Sequence, residues 1–206
     1  MPQIQLLGGF ASPFTRKVRI AFAEKNIPFE HVKASAAGEE NPVVPHNPLG
    51  KIPVIVVDGK KAIYDSSVIV EYIDTLSSSP MLFPPVGMDR VEVKRWESLG
   101  DGICDAGVAF MGEKRRELDA KLSKEVMDRQ FNKVRRGIET AARELGDREF
   151  CFGKGFTAAD IAIGMALGYI AFRLPEYEWG NLFPNLKAYN ERLLKRPAFS
   201  STMPKD

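Results

Sequence analysis

Along the first eighty residues the apolar positions switch between a strand-like and a helix-like spacing. Ile4-Gln5-Leu6-Leu7 is a short apolar run that Gly8-Gly9-Phe10-Ala11 breaks. Ser12-Pro13 then stands where a helix begins, with serine at the N-cap and proline at the first helical position. Phe14, Val18, Ala21 and Phe22 recur at helical spacing and predict one apolar face, with Arg16, Lys17, Arg19 and Glu24 largely off it. Asn26 and Pro28 end this helix. Residues 28–32 read as a second strand, 34–50 as an irregular stretch punctuated by proline, and 52–57 as the strongest strand signal in the chain. Asp58-Gly59 turns that strand into a partner at 62–64, and Asp65-Ser66-Ser67 leads into an amphipathic helix over 68–76.

Strand, helix, strand, irregular segment, strand, strand, helix is a thioredoxin-like order. Over 77–88 the periodicity vanishes among serines and prolines, and beyond Asp89 no strand pattern recurs. Helices are expected over 90–110 and 123–145, the second heavily charged on its outer face. Thr157-Ala158-Ala159-Asp160 is a capping box, with Phe156 and Ile161 placed as its hydrophobic staple. The helix it opens, to residue 172, is apolar all round, as a buried central helix should be, and Gly164 and Gly168 would admit close neighbours. A last helix over 185–195 is stopped by Pro197. The expected organisation is a thioredoxin-like α/β domain over 1–78, a linker over 79–88 and an all-helical domain over 89–206.

Composition narrows the function classes. The chain has 206 residues, 44% hydrophobic and 27% charged, with a net charge of +2. That balance gives no argument for nucleic acid or an anionic membrane surface, and no basic arm or acidic tail is present. No signal-peptide pattern opens the sequence, and the longest strongly apolar stretch, 161–174, is too short to span a bilayer. Cys104 and Cys151 show neither metal-ligand nor C-x-x-C spacing, so no metal is expected and a reducing cytoplasm is the simplest home.

The candidate chemistry starts at Ser12. Its hydroxyl can cap the helix by accepting a first-turn N–H, worth roughly 0.5–2 kcal/mol. It can also donate its proton outward to an anion, which the helix N-terminus favours. For a thiolate, one such bond of roughly 1.5–3 kcal/mol corresponds to about 1–2 pH units of acidity. Thr15 stands where a thioredoxin-type motif carries its second cysteine, so dithiol chemistry is excluded at this site. Asp160 resembles a catalytic acid in isolation, but the capping box makes it structural. Asp65-Ser66-Ser67 reads equally as a plain helix cap. His31 and His46 have no partner pattern and read as surface or satisfied histidines.

The motifs together resemble the cytosolic glutathione transferase family of bacterial, serine-type active site. The resemblance runs through Ser12-Pro13-Phe14-Thr15-Arg16-Lys17-Val18-Arg19-Ile20, Asn47-Pro48-Leu49-Gly50-Lys51-Ile52-Pro53-Val54, Asp65-Ser66-Ser67-Val68-Ile69 and the Thr157–Asp160 box, in order and over nearly the whole chain. It implies the glutathione transferase fold and a homodimeric enzyme that uses glutathione as co-substrate, without a cofactor, to conjugate an apolar electrophile. It assigns Ser12 as the donor to the glutathione thiolate. By the same resemblance Phe14, Lys51, Ile52, Pro53, Asp65 and Ser66 would bind glutathione: a cis Pro53 would turn the Ile52 backbone to the cysteinyl unit, Lys51 would pair with the glycyl carboxylate, and Asp65 and Ser66 would hold the γ-glutamyl end. Phe10, Val108 and Met111 are implied for a second-substrate pocket. Asp101 and Asp105 are either solvated or reach the γ-glutamyl ammonium of the other subunit. Gly100, Gly102, Gly107 and Gly112 would mark close dimer packing or a pocket wall. A glutathione-dependent isomerase is the enzymatic alternative, against which Pro13 and Phe14 count, because the isomerases resemble Ser-Ser-Cys at positions 12–14. A non-catalytic interaction module on the same fold is the other.

Overall fold

A computed structural model describes residues 1–35, 41–116 and 123–206. Residues 36–40 of the irregular stretch lie outside the described residues. The chain divides into two compact units, Met1–Arg90 with Arg196–Asp206, and Val91–Lys195.

The first unit is built on a four-stranded sheet in the order β2-β1-β3-β4. Its strands are β1 (Ile4–Gly8), β2 (Glu30–Lys33), β3 (Val54–Val57) and β4 (Lys61–Tyr64). β1 pairs parallel with β2 and antiparallel with β3, and β3 pairs antiparallel with β4. Successive side chains of a strand face opposite sides. Leu7, Val54 and Val56 accordingly join Ala34 and Val43 in one cluster, while Leu6 and Ile55 are fully buried on the other side. Burial on both faces explains why β1 and β3 read as nearly continuous apolar runs rather than alternating ones. Helix α1 (Pro13–Glu24) packs on α2 (Ser66–Thr75), and α2 packs on β3 and β4. The Ile52–Pro53 and Ser79–Pro80 peptide bonds are cis.

Two expectations for this unit change. Arg16 and Lys17 do not lie off the buried face of α1: they are 1% and 0% exposed. Arg16 is covered by the chain's last segment, where it donates to the Phe199 carbonyl and to the Met203 sulfur, and Lys17 Nζ donates to Ser67 Oγ on α2 at 3.2 Å. That same last segment, expected within a helical region 89–206, groups with the first unit instead. Its short helix α8 (Pro197–Ser200) packs on α1, and Arg196 makes a two-pronged ion pair with Glu24 at 2.8 and 2.6 Å.

The second unit is helical among its described residues. It holds α3 (Gly87–Arg115, whose first turn falls in the other unit), α4 (Lys124–Leu145), α5 (Ala158–Arg173), a 3-10 turn at Pro175–Tyr177, α6 (Trp179–Leu182) and α7 (Pro184–Leu194). Helix α5 is buried over Ala158–Ile170, as its all-round apolar sequence requires. The glycines of α3 separate into two kinds. A Cβ on Gly100 would meet the Ala162 backbone at 2.6 Å, and one on Gly107 would meet Ile170 and Tyr169, so both serve the contact of α3 with α5. A Cβ on Gly102 or Gly112 would meet nothing within 4 Å among the described residues. The same substitution should therefore act oppositely at two positions. Gly100→Ala should destabilise the protein by about 1–3 kcal/mol through overpacking, whereas Gly112→Ala should stabilise it by up to ~1 kcal/mol through helix propensity. Urea unfolding of both variants checks the pair of signs.

Candidate functional site

The site begins where β1 ends. Gly8 closes the strand against Thr15: a Cβ there would stand 2.3 Å from Thr15 Oγ1, so only glycine lets α1 start this close to the sheet. The Ser12 N–H donates to the Gly9 carbonyl at 3.2 Å and closes the turn. Ser12 Oγ accepts the Thr15 N–H at 3.2 Å, with Pro13 at the first helical position, as the pattern predicts. The hydroxyl proton goes to no group among the described residues, and Ser12 is half-buried at the positive end of α1. Thr15 itself is fully buried, so its hydroxyl cannot serve a ligand outside.

A second helix N-terminus stands in the same unit. Asp65 caps α2, its Oδ1 accepting the Ser67 N–H at 2.8 Å. It does so at φ 70, a conformation that side-chain-bearing residues adopt at a cost of roughly 1–3 kcal/mol. The bond from Lys17 to Ser67 ties the first turns of α1 and α2 together. Ser66 is buried and Asp65 exposed. In the loop before β3, Asn47 bonds the Lys51 carbonyl at 2.9 Å and the Leu49 N–H at 3.0 Å, which fixes the approach to Ile52. Lys51 is exposed, Ile52 half-buried and Pro53 buried. Phe14 is half-buried on α1. Ser12, Phe14, Lys51, Ile52, Pro53, Asp65 and Ser66 all belong to the first unit.

Phe10, also in this unit, packs its ring against His31 at 4.6 Å, and His31 Nε2 lies 3.0 Å from the Gly8 carbonyl. His31 is therefore a satisfied histidine, as expected. The Phe10 ring also carries Arg19 at 5.0 Å and Lys205 at 4.9 Å, a grouping that sequence spacing does not reveal because it joins a turn, a helix and the chain's far end. Burial holds the His31 imidazole below its ordinary 6.5; the Gly8 carbonyl works against this and the Arg19 charge adds to it.

The remaining candidates lie in the second unit. On α3, Asp101 and Met111 are half-buried, and Asp105 and Val108 are exposed. Asp160 is wholly buried and accepts from four donors: the Cys151 N–H at 2.8 Å, the Tyr189 hydroxyl at 2.8 Å, and the Thr157 N–H and hydroxyl at 2.8 and 3.2 Å. Every one of these donors belongs to the fold, so Asp160 is structural. The Cys151 sulfur stands 3.1 Å from the Tyr189 oxygen, and burial pushes its thiol well up. Cys104 is equally buried and meets Met165. Neither thiol is placed for chemistry.

The fold and these two helix N-termini define a protein of thioredoxin-like and helical parts, with its candidate site in the former. Residues 11–76 match the family model described as Glutathione S-transferase, N-terminal domain, and residues 124–192 match Glutathione S-transferase, C-terminal domain. The chain is 34% identical over 201 residues to the uncharacterized GST-like protein YibF of Escherichia coli (strain K12), covering 98% of each chain. It resembles a crystal structure of a glutathione S-transferase from Methylobacillus flagellatus with glutathione bound, at 39% identity and a TM-score of 0.94, over 98% of this chain and 100% of that one. It also resembles a glutathione S-transferase from Methylobacterium radiotolerans in complex with glutathione sulfonate, at 38% identity and a TM-score of 0.94, over 99% of this chain and 96% of that one. The chain belongs to the glutathione S-transferase family. Among the described residues, no single helix is long and apolar enough to cross a membrane.

The His31 environment sets a pH dependence. A lowered folded-state pKa means that the unfolded chain binds the proton more readily, so this group's contribution is complete above about 6.5 and is lost as pH falls through the folded value. His31 should titrate below 6.5 by NMR, and Arg19→Gln should move that midpoint upward by removing a nearby positive charge.

Proposed function

We propose that the protein binds glutathione in its first unit, ionises the thiol at Ser12 and conjugates it to an electrophilic small molecule. The observation that carries this reading is the Ser12 hydroxyl, used once as an acceptor by its own helix and keeping its proton for an anion at the helix N-terminus. With Thr15 buried, the hydroxyl is the side-chain donor this turn offers. The two ends of the glutathione peptide are held away from the thiol. The Ile52 backbone pairs with the cysteinyl unit in the manner of an added strand. Ser66 and the N-terminus of α2 receive the γ-glutamyl carboxylate. Asp65 receives the ammonium, Lys51 the glycyl carboxylate, and Phe14 flanks the peptide.

The protein supplies binding, orientation and a fixed donor. The thiol loses its proton to solvent and the sulfur attacks the electrophilic carbon. Phe10 contributes apolar surface for the second substrate. We assign the working form as a homodimer formed through α2 and α3, on which Val68 and Val91 stand exposed, with Asp101 and Asp105 on the same α3. Sedimentation at micromolar concentration should give twice the chain mass; a monomer overturns the assignment.

Ser12→Ala tests the reading itself. Loss of the cap should cost roughly 0.5–2 kcal/mol of stability. Loss of the donor should raise the pKa of bound glutathione by about 1–2 pH units, while glutathione affinity falls much less because the peptide's ends are held elsewhere. A spectroscopic thiolate titration of wild type and variant reads the shift. Identical midpoints would leave Ser12 a cap alone.

A further inference from the structure

We propose that Arg19, Phe10 and Lys205 form an anion subsite beside the Ser12 turn, which makes the second substrate an aromatic electrophile bearing a carboxylate. The inference rests on the conjugation reading and deepens it.

Around the Phe10 ring stand the Arg19 guanidinium at 5.0 Å, the Lys205 ammonium at 4.9 Å and the His31 ring at 4.6 Å. Arg19 Nη1 is buried and makes no hydrogen bond among the described residues. Burial lowers the hold of this guanidinium on its proton, with no carboxylate acting in the opposite sense. Elsewhere in the unit Lys25 pairs with Asp74, Arg90 with Glu71 and Arg196 with Glu24. A partly desolvated guanidinium favours an anion at the half-exposed part of its fork. Its planar fork fits a carboxylate with two parallel bonds.

Position ties the cluster to the chemistry. Phe10 lies inside the turn closed from Ser12 to Gly9, so its Cα is within about 7.6 Å of that of Ser12. Arg19 lies seven residues further on, about 10 Å along the α1 axis, and its side chain leans back toward the N-terminus. A benzoate can therefore set its carboxylate at Arg19, with the Lys205 charge also against Phe10, and its ring beside Phe10, with a reactive ring carbon toward Ser12. For a chlorinated ring the step balances: the thiolate sulfur forms a bond to the carbon bearing chlorine, and chloride leaves with the pair of the broken bond. The thiol proton has already gone to solvent.

The test compares acid and amide probes of one shape. With and without glutathione, calorimetry measures 3-nitrobenzoate against 3-nitrobenzamide, and kcat/KM is measured for 4-chloro-3-nitrobenzoate against 4-chloro-3-nitrobenzamide, each relative to its uncatalysed rate. Wild type should prefer the acids by about tenfold or more. Arg19→Gln should bring the preference to near parity, Arg19→Lys should retain part of it, and Lys205→Gln, on the exposed tail, should weaken it without touching the helix. Equal binding of acid and amide by wild type, or a preference that survives both Arg19→Gln and Lys205→Gln, overturns the subsite. Binding is read without turnover, so a protein that prefers the benzoate yet converts neither chloride upholds the subsite and overturns the conjugation reading instead.

Discussion

Lys25 ends α1 with its ammonium wholly inside the first unit, surrounded by the Asp74 carboxylate at 2.8 Å and the carbonyls of Ser77, Pro80 and Asp74 at 2.5, 2.7 and 3.3 Å. The Asp74 carboxylate also accepts the Leu82 and Phe83 N–H groups. One ion pair therefore fixes the end of α1, the end of α2 and the start of the segment beyond it. Removing one member of such a buried pair leaves the other charge stranded, typically at roughly 3–5 kcal/mol. Because the ends of α1 and α2 are anchored here, their opposite ends, with Ser12 and Asp65, have little freedom to drift.

That arrangement suits a site made of helix N-termini. A fixed donor is useful only if its direction survives the arrival of the ligand. The buried Lys17 adds a second tie near the site by bonding Ser67 beside the Asp65 cap. Asp65 is held at φ 70 by the same local structure, so its exposed carboxylate is presented at a backbone angle that an isolated chain would avoid.

Sequence alone reveals the local devices. The Ser12-Pro13 start, the Asp58-Gly59 turn and the Thr157–Asp160 box each depend on neighbours a few residues apart and each forms as read, while the strand read over 52–57 forms over 54–57. What stays hidden are contacts made by distant segments. Arg16 reads as a surface residue until the Phe199 carbonyl covers it from 183 positions away. The candidate site residues stand out as motifs, whereas the pair of cations on Phe10 has no motif, since Lys205 comes to it from far along the chain. Gly100 and Gly102 look equivalent on paper, and only the proximity of Ala162 distinguishes them.

The return of residues 196–206 to the first unit also bears on how the protein is made. During synthesis the sheet and α1 emerge long before the partner of Glu24 and the cover over Arg16. The second unit, one continuous stretch, can close first. The first unit is thus completed only after the second has been made, and removing residues 196–206 strips the back of the helix that carries Ser12 without touching Ser12 itself.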